Sequence, residues 1–150
     1  MTPAEVRTHS ALHVLKGAVV KVLGLLLTAS TRVEQEEGTL TLHSLRELTP
    51  QEVTRIVEEA NGKVREDVGV TTFSMERAEA ERHFGKGIYD AFPIPEQAGL
   101  LKLVRIPDWE TSCCGEKHVE STGEIGAIEL KGARFREPEK LLELVFVLAE

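Results

Sequence analysis

The chain is poor in aromatic side chains, poor in cysteine and short of positive charge. Phe, Trp and Tyr make up 5% of its 150 residues, with one Trp and one Tyr, so aliphatic side chains must fill the core. The two cysteines are neighbours, Cys113 and Cys114. A disulfide between adjacent residues closes a strained ring and ties nothing distant. Their presence therefore points to a reducing compartment or to metal binding. Lys and Arg number 18 against 25 Asp and Glu, for a net charge of -7. That balance speaks against broad nucleic-acid binding, DNA included, which needs many cations meeting phosphates. A local basic patch gripping one end of an RNA is compatible with it. No apolar run reaches the roughly 20 residues of a membrane span, and the stretch 22–27 lacks the flanks of a signal peptide. No repeat, low-complexity tract or linker divides the chain. These absences predict one globular domain over residues 1–150, cytoplasmic and without a membrane partner.

Hydrophobic periodicity then gives the elements. A helix is expected over residues 9–23, with Thr8 as N-cap and Gly24 as the stop. Leu12, Leu15, Ala18, Val19, Val22 and Leu23 share its apolar face, and His9 and His13 lie at the border beside Lys16 and Val20. Residues 25–33 and 39–43 read as strands joined through Glu36-Glu37-Gly38. Thr49-Pro50-Gln51-Glu52 is a capping box with Pro at the first helical position, opening a helix to about Asn61-Gly62. A third strand is expected over 68–73, then a helix capped by Ser74 and ending at Gly85. Residues 85–99, with Pro93 and Pro95, read as a loop. Strands over 100–106, 125–130 and 141–148 complete an α+β class: a largely antiparallel sheet with packed helices.

Two pairs carry chemistry. His9-Ser10-Ala11-Leu12-His13 puts two imidazoles on one helix face, four residues apart. Cys114-Gly115-Glu116-Lys117-His118 supplies a thiolate and a third imidazole at the same spacing. Three nitrogens and one sulfur form a donor set for zinc. Neither pair alone identifies a metal site; together, at opposite ends of a short chain, they do. Four protein ligands close a tetrahedron, so a structural zinc and a catalytic one both remain open.

These residues resemble the editing domain of alanyl-tRNA synthetase, and more closely the short AlaX trans-editing proteins. The likeness covers nearly the whole chain. It includes Arg7-Thr8-His9-Ser10-Ala11-Leu12-His13, Tyr89-Asp90-Ala91-Phe92-Pro93 and Thr122-Gly123-Glu124-Ile125-Gly126. The family's two metal motifs fall on His9, His13, Cys114 and His118. Glu116 and Lys117 stand where synthetase domains usually carry Gly and Thr, so any contact of that Thr hydroxyl is missing here. The chain opens almost at the metal helix, which sets the expectation of the short form without a further N-terminal domain.

The resemblance implies a fold like the alanyl/threonyl-tRNA synthetase editing domain. It also implies zinc-dependent hydrolysis of the ester joining a wrong amino acid to the acceptor end of tRNA-Ala. Ser-tRNA-Ala is the expected substrate, with Gly-tRNA-Ala second. Zinc can lower the pKa of a bound water to about 7 or polarise the ester carbonyl. Alanine is smaller than serine, so size cannot spare the correct product, whereas a hydrogen bond to the serine hydroxyl can. Thr28 matches the family's substrate-side threonine and is the catalytic-pocket candidate; a threonine also simply suits a strand, as Ser30 and Thr31 do beside it. Thr122 and Gly123 are expected near the terminal adenosine or aminoacyl group, or as turn residues leading into a strand. Lys16, Lys21, Lys131, Arg134, Arg136 and Lys140 are the candidate RNA contacts, against the alternative of a solvated charged face. Two other functions fit the motifs: editing of Ser-tRNA-Thr, and a zinc-stabilised tRNA-binding module without activity.

Overall fold

Residues 1–90 and 99–149 are described by a computed structural model of the chain. The first helix, α1 (Pro3–Leu23), begins earlier than its apolar period suggests. Thr2 is the N-cap, its hydroxyl accepting from the Glu5 N–H while Glu5 accepts from the Thr2 N–H, with Pro3 in the first turn. Thr8 is therefore not a cap. It is fully buried inside the helix, and its hydroxyl proton lies between the carbonyls of Ala4 (3.0 Å) and Gln35 (2.5 Å). Gly24 ends the helix as expected.

The hairpin of β1 (Thr28–Glu34) and β2 (Glu37–His43) follows. Next comes α2 (Pro50–Glu66), opened by the anticipated Thr49/Glu52 box and closed by Asp67 in a left-handed conformation, beyond the expected end at Gly62. The strand β3 (Thr71–Glu76) runs three residues past expectation. Ser74 lies within it and caps nothing; α3 (Arg77–Phe84) starts after Glu76. A short 3-10 turn, Lys86–Tyr89, leads to Asp90. The expected loop residues 91–98, with Pro93 and Pro95, lie outside the described residues. Then come β4 (Leu100–Ile106), β5 (Glu110–Cys113), a 3-10 turn at Thr122–Glu124, β6 (Ile128–Arg136) and β7 (Leu141–Leu148).

The strands form two antiparallel sheets, ordered β1-β2-β7-β6 and β3-β4-β5. On β7 every second side chain is buried, and Leu142, Leu144 and Phe146 stand opposite Leu42, Leu40 and Gly38 of β2. Gly38 is required there, because a Cβ at that position would lie 2.4 Å from the Phe146 ring. Leu12, Leu15 and Val19 of α1 and Ile56 of α2 complete this core. A smaller cluster, Ala80, Ile88, Leu101 and Leu103, packs α3 on the second sheet. The helix α1 touches β1 and β2 of one sheet and β5 of the other. That placement puts its histidine-bearing face toward the second sheet. Among the described residues no helix is long and apolar enough to cross a membrane.

The cap of α2 gives a pH-dependent prediction. Arg46 grips both oxygens of Glu52 at 2.8 and 2.7 Å, and the Thr49 N–H donates to the same carboxylate. These contacts hold Glu52 down to about 2, from an ordinary value of 4.5. A carboxylate depressed in the folded state stabilises fully above its ordinary value, and that contribution is lost as pH falls through the folded one. Thermal melts should show a deficit for Glu52→Gln at pH 6 that closes between pH 4.5 and about 2. A gap constant across that range would deny the carboxylate its role.

Candidate metal centre

His9 and His13 project from one face of α1, and Cys114 and His118 approach from the segment after β5. The His9 Nε2 stands 3.2 Å from the Cys114 Sγ, and the His118 Nε2 stands 3.2 Å from the His13 Nε2. The four donor atoms all lie within 4.8 Å of one another. The chain brings together the four residues that the two motifs single out.

Local bonding explains how segments so far apart in sequence converge. The Cys114 N–H donates to the Lys102 carbonyl at 3.0 Å, extending the β4–β5 edge to Cys114. Ser10, between the two α1 histidines, is buried; its hydroxyl donates to the Val6 carbonyl at 2.8 Å and accepts from the Val119 N–H at 3.0 Å. That bond fastens the residue after His118 to α1. Trp109 donates its indole N–H to the Val14 carbonyl at 2.8 Å. The ring fits because Gly17 has no Cβ, which would stand 2.2 Å from it.

Glu110, which the sequence reading passed over, is the main addition. Its Oε2 lies 2.8 Å from the His13 Nδ1, and each side chain is 13% exposed. Glu110, Ser112 and Cys114 alternate along one side of the strand and its extension, and the Ser112 Oγ is 3.4 Å from the same ring nitrogen. That period of two was the available signal; it was hidden by the strand's short, polar composition. A carboxylate on the far nitrogen of a histidine fixes its tautomer and aims the other nitrogen at a metal.

The donor set fits a zinc-like ion. A tetrahedron with Zn–N of about 2.0–2.1 Å and Zn–S of about 2.3 Å has edges of roughly 3.3–3.6 Å. The two 3.2 Å separations are close to those edges. The His118 Nδ1 is buried without a hydrogen-bond partner among the described residues, while its Nε2 faces the His13 Nε2. Two ring nitrogens facing each other are reconciled by a shared cation. Burial pushes the Cys114 thiol up, but hydrogen bonds from His118, His13 and His9 overcome this and bring it to about 3, a thiolate at neutral pH. Burial pushes His13 down, but the charges and hydrogen bonds of Glu110 and Cys114 together overcome it, raising the ring to about 10. Metal loading must therefore displace protons from the cluster.

A cavity of about 160 Å³ abuts His9, His13 and Cys114 and is lined further by Lys16, Thr28 and Asp90. Pockets for drug-sized ligands run to roughly 300–1,000 Å³; this one is scaled to a small group. Thr28 opens β1 and is 2% exposed. Its N–H donates to the Asp90 Oδ1 at 2.9 Å, and its hydroxyl has no hydrogen-bond partner among the described residues.

Other expected contacts are placed differently. Lys16 is no surface cation: its side chain is 9% exposed, its ammonium donates to the Leu26 carbonyl, and it lies 3.6 Å from the Asp90 carboxylate. Thr122 is fully buried, with its hydroxyl donating to the Lys63 carbonyl at 2.7 Å and accepting from the Val68 N–H at 3.1 Å. No part of that hydroxyl is open to a substrate. The Gly123 N–H is taken by the Asp67 carboxylate at 2.9 Å, and a Cβ there would collide with the same group. The Thr-Gly-Glu-Ile-Gly run thus docks onto the end of α2. Lys131 pairs with Glu37 at 3.0 Å and Lys21 with Glu59 at 2.9 Å. Arg136 pairs with Glu143 at 2.8 Å, and Arg134 is exposed on β6. His43 and His83 are exposed and outside the cluster. Of the Tyr89–Pro93 motif, Ala91, Phe92 and Pro93 lie outside the described residues.

No family model matches the chain. Alanine–tRNA ligases do match it, those of Metallosphaera sedula, Pyrococcus abyssi and Thermofilum pendens among them. The protein from Metallosphaera sedula is 37% identical over 125 residues, covering 83% of this chain and 14% of the ligase. The chain is an AlaX-like domain, homologous to alanyl-tRNA synthetase. The ligase of Pyrococcus abyssi is 33% identical over 125 residues, and that of Thermofilum pendens 33% over 130 residues. The AlaX-like chain spans about one seventh of the length of these relatives, 14% in each case.

Within this AlaX-like domain Glu110 offers a direct test. Outer partners of metal-bound histidines are typically worth about 10–100-fold in metal affinity or activity. Glu110→Gln, which keeps an acceptor but removes the charge, should fall near the lower end of that range and Glu110→Ala near the upper. Chelator competition measures both. Unchanged affinity in the alanine variant would detach Glu110 from the metal centre.

Proposed function

We propose that residues 1–150 act as one editing domain, a zinc-dependent hydrolase that deacylates mischarged tRNA-Ala, with Ser-tRNA-Ala preferred and Gly-tRNA-Ala second. The observation that carries this reading is the juxtaposition of the unpartnered hydroxyl of Thr28, itself a buried residue, with three metal-type ligands around one small cavity. Homology to alanyl-tRNA synthetase supports tRNA-Ala as the nucleic acid.

His9, His13, Cys114 and His118 hold the ion, and Glu110 orients His13. Zinc in this position supplies Lewis acidity toward the ester carbonyl or a water of lowered pKa. The Thr28 hydroxyl accepts or donates a hydrogen bond to the serine side chain, and its unmet bonding capacity penalises alanine in the same place. His9 and His13, as ligands, have no free lone pair with which to act as general bases. Lys131 and Arg134, exposed on β6, are the cations offered to the acceptor-end phosphates. With so few, binding is modest and salt-sensitive.

The decisive experiment compares Ser-, Gly- and Ala-charged tRNA-Ala, with Ser-charged tRNA-Thr alongside, before and after chelation. Hydrolysis of Ser-tRNA-Ala that spares Ala-tRNA-Ala and stops on chelation is the expected result. Preference for Ser-tRNA-Thr transfers the activity to the other synthetase, and zinc-dependent turnover on none of the four reduces the chain to a binding module.

A further inference from the structure

Beside the candidate metal ligands, the cavity is lined by a charged pair, Lys16 and Asp90. His9, His13 and Lys16 occur at spacings of four and three along α1 and so share a face of one rigid helix. The Lys16 ammonium donates to the carbonyl of Leu26, in the segment entering β1, and stands 3.6 Å from the Asp90 Oδ2. The Asp90 Oδ1 accepts the Thr28 N–H at 2.9 Å. The contacts therefore close a ring from α1 through residues 26–28 and Asp90 back to α1. Both charged side chains are largely withdrawn from water, at 9% and 16% exposure. Asp90 also holds a left-handed backbone, φ 53°, uncommon for a residue with a side chain.

We propose that Lys16 and Asp90 are positioning residues for Thr28, fixing where its hydroxyl stands in the cavity relative to the two histidines of α1. The inference rests on the proposed editing function for its consequence, selectivity, and on geometry alone for its cause. Thr28 is the first residue of β1, where register alone holds it weakly, and a β-bulge or irregularity follows between Thr28 and Ser30. Without Asp90 its amide has no other partner among the described residues. Without Lys16 the half-buried Asp90 carboxylate has no paired cation among the described residues, an arrangement relieved by moving the group. Either change lets the Thr28 hydroxyl drift, and a donor misplaced by a fraction of an ångström reads a small hydroxyl poorly.

Two readouts test this on the metal-loaded protein. Amide exchange at Thr28 should accelerate about tenfold in Asp90→Ala and Lys16→Met, the scale of one lost hydrogen bond. The ratio of kcat/KM for Ser-tRNA-Ala over Ala-tRNA-Ala should fall in the same variants with metal stoichiometry unchanged. Asp90→Asn keeps an acceptor for the Thr28 N–H, so it should retain slow exchange and lose less selectivity. If Lys16→Met does not fold, Lys16→Arg takes its place, with a smaller loss of selectivity expected. Lower thermal stability with Thr28 exchange and selectivity both unchanged makes the pair a staple only and overturns the proposal. If the wild type deacylates none of the charged tRNAs, the editing function falls, and Thr28 exchange still decides the positioning role.

Discussion

Cys114→Ala is expected to abolish metal binding and, with it, the proposed deacylation. The substitution deletes the only sulfur from the three-nitrogen, one-sulfur set and leaves a gap beside His9, whose Nε2 lies 3.2 Å from that sulfur. Losing a ligand must cost more than losing an outer partner, so affinity should drop by more than the roughly 10–100-fold assigned to Glu110. Elemental analysis of dialysed protein and a deacylation assay check the two halves. Cys113→Ala is the matching control. Its thiol is raised by burial, the opposite direction from Cys114, and it lies outside the donor cluster. Loss of metal in Cys113→Ala with retention in Cys114→Ala would reverse the ligand assignment.

Thr28→Val is the second large effect, and it is one of selectivity. Valine keeps the branched shape and the backbone N–H that Asp90 holds, and it removes only the hydroxyl. Sites that hydrogen-bond a substrate hydroxyl reject analogues lacking it by roughly 10⁴–10⁵, whereas apolar pockets discriminate only about 10–200-fold. The preference for Ser-tRNA-Ala over Ala-tRNA-Ala should therefore shrink by about 100-fold or more, with metal content intact. An unchanged preference in that variant would assign serine recognition to another group.

Of the candidate ligands, His9 and His13 were legible because two side chains four residues apart on a helix must share a face. Cys114 and His118 lie in non-helical chain and were legible from their donor chemistry. The α1 boundary was legible too, but was missed. Thr2-Pro3-Ala4-Glu5 repeats the grammar of Thr49-Pro50-Gln51-Glu52, and it precedes the apolar period that drew attention to His9. Ser74 looked like a cap because acidic and basic residues follow it; pairing with Lys102 across β4 keeps it in a strand. The strand β5 has four residues and no hydrophobic pattern of its own, so only its partner β4 makes it a strand. Glu110 disappeared with it. The division into two sheets rests on long-range pairing, such as β2 with β7, which no local window contains. Thr122 and Gly123 showed the limit of motif reading: the resemblance puts them near the substrate, but their polar groups are consumed by α2 and its cap.

The bond between Ser10 and Val119 has one more consequence. It is made inside the core, by a hydroxyl and an amide that need no ion, and it sets down the His118 backbone beside the helix that carries the other two imidazoles. A zinc finger has little apolar core and folds around its ion. Here about twenty buried side chains already hold the same elements together. A cation bound there would be a guest in a seat cut by the fold. Its exchange, loss and return should proceed without unfolding, leaving the domain a standing receptor.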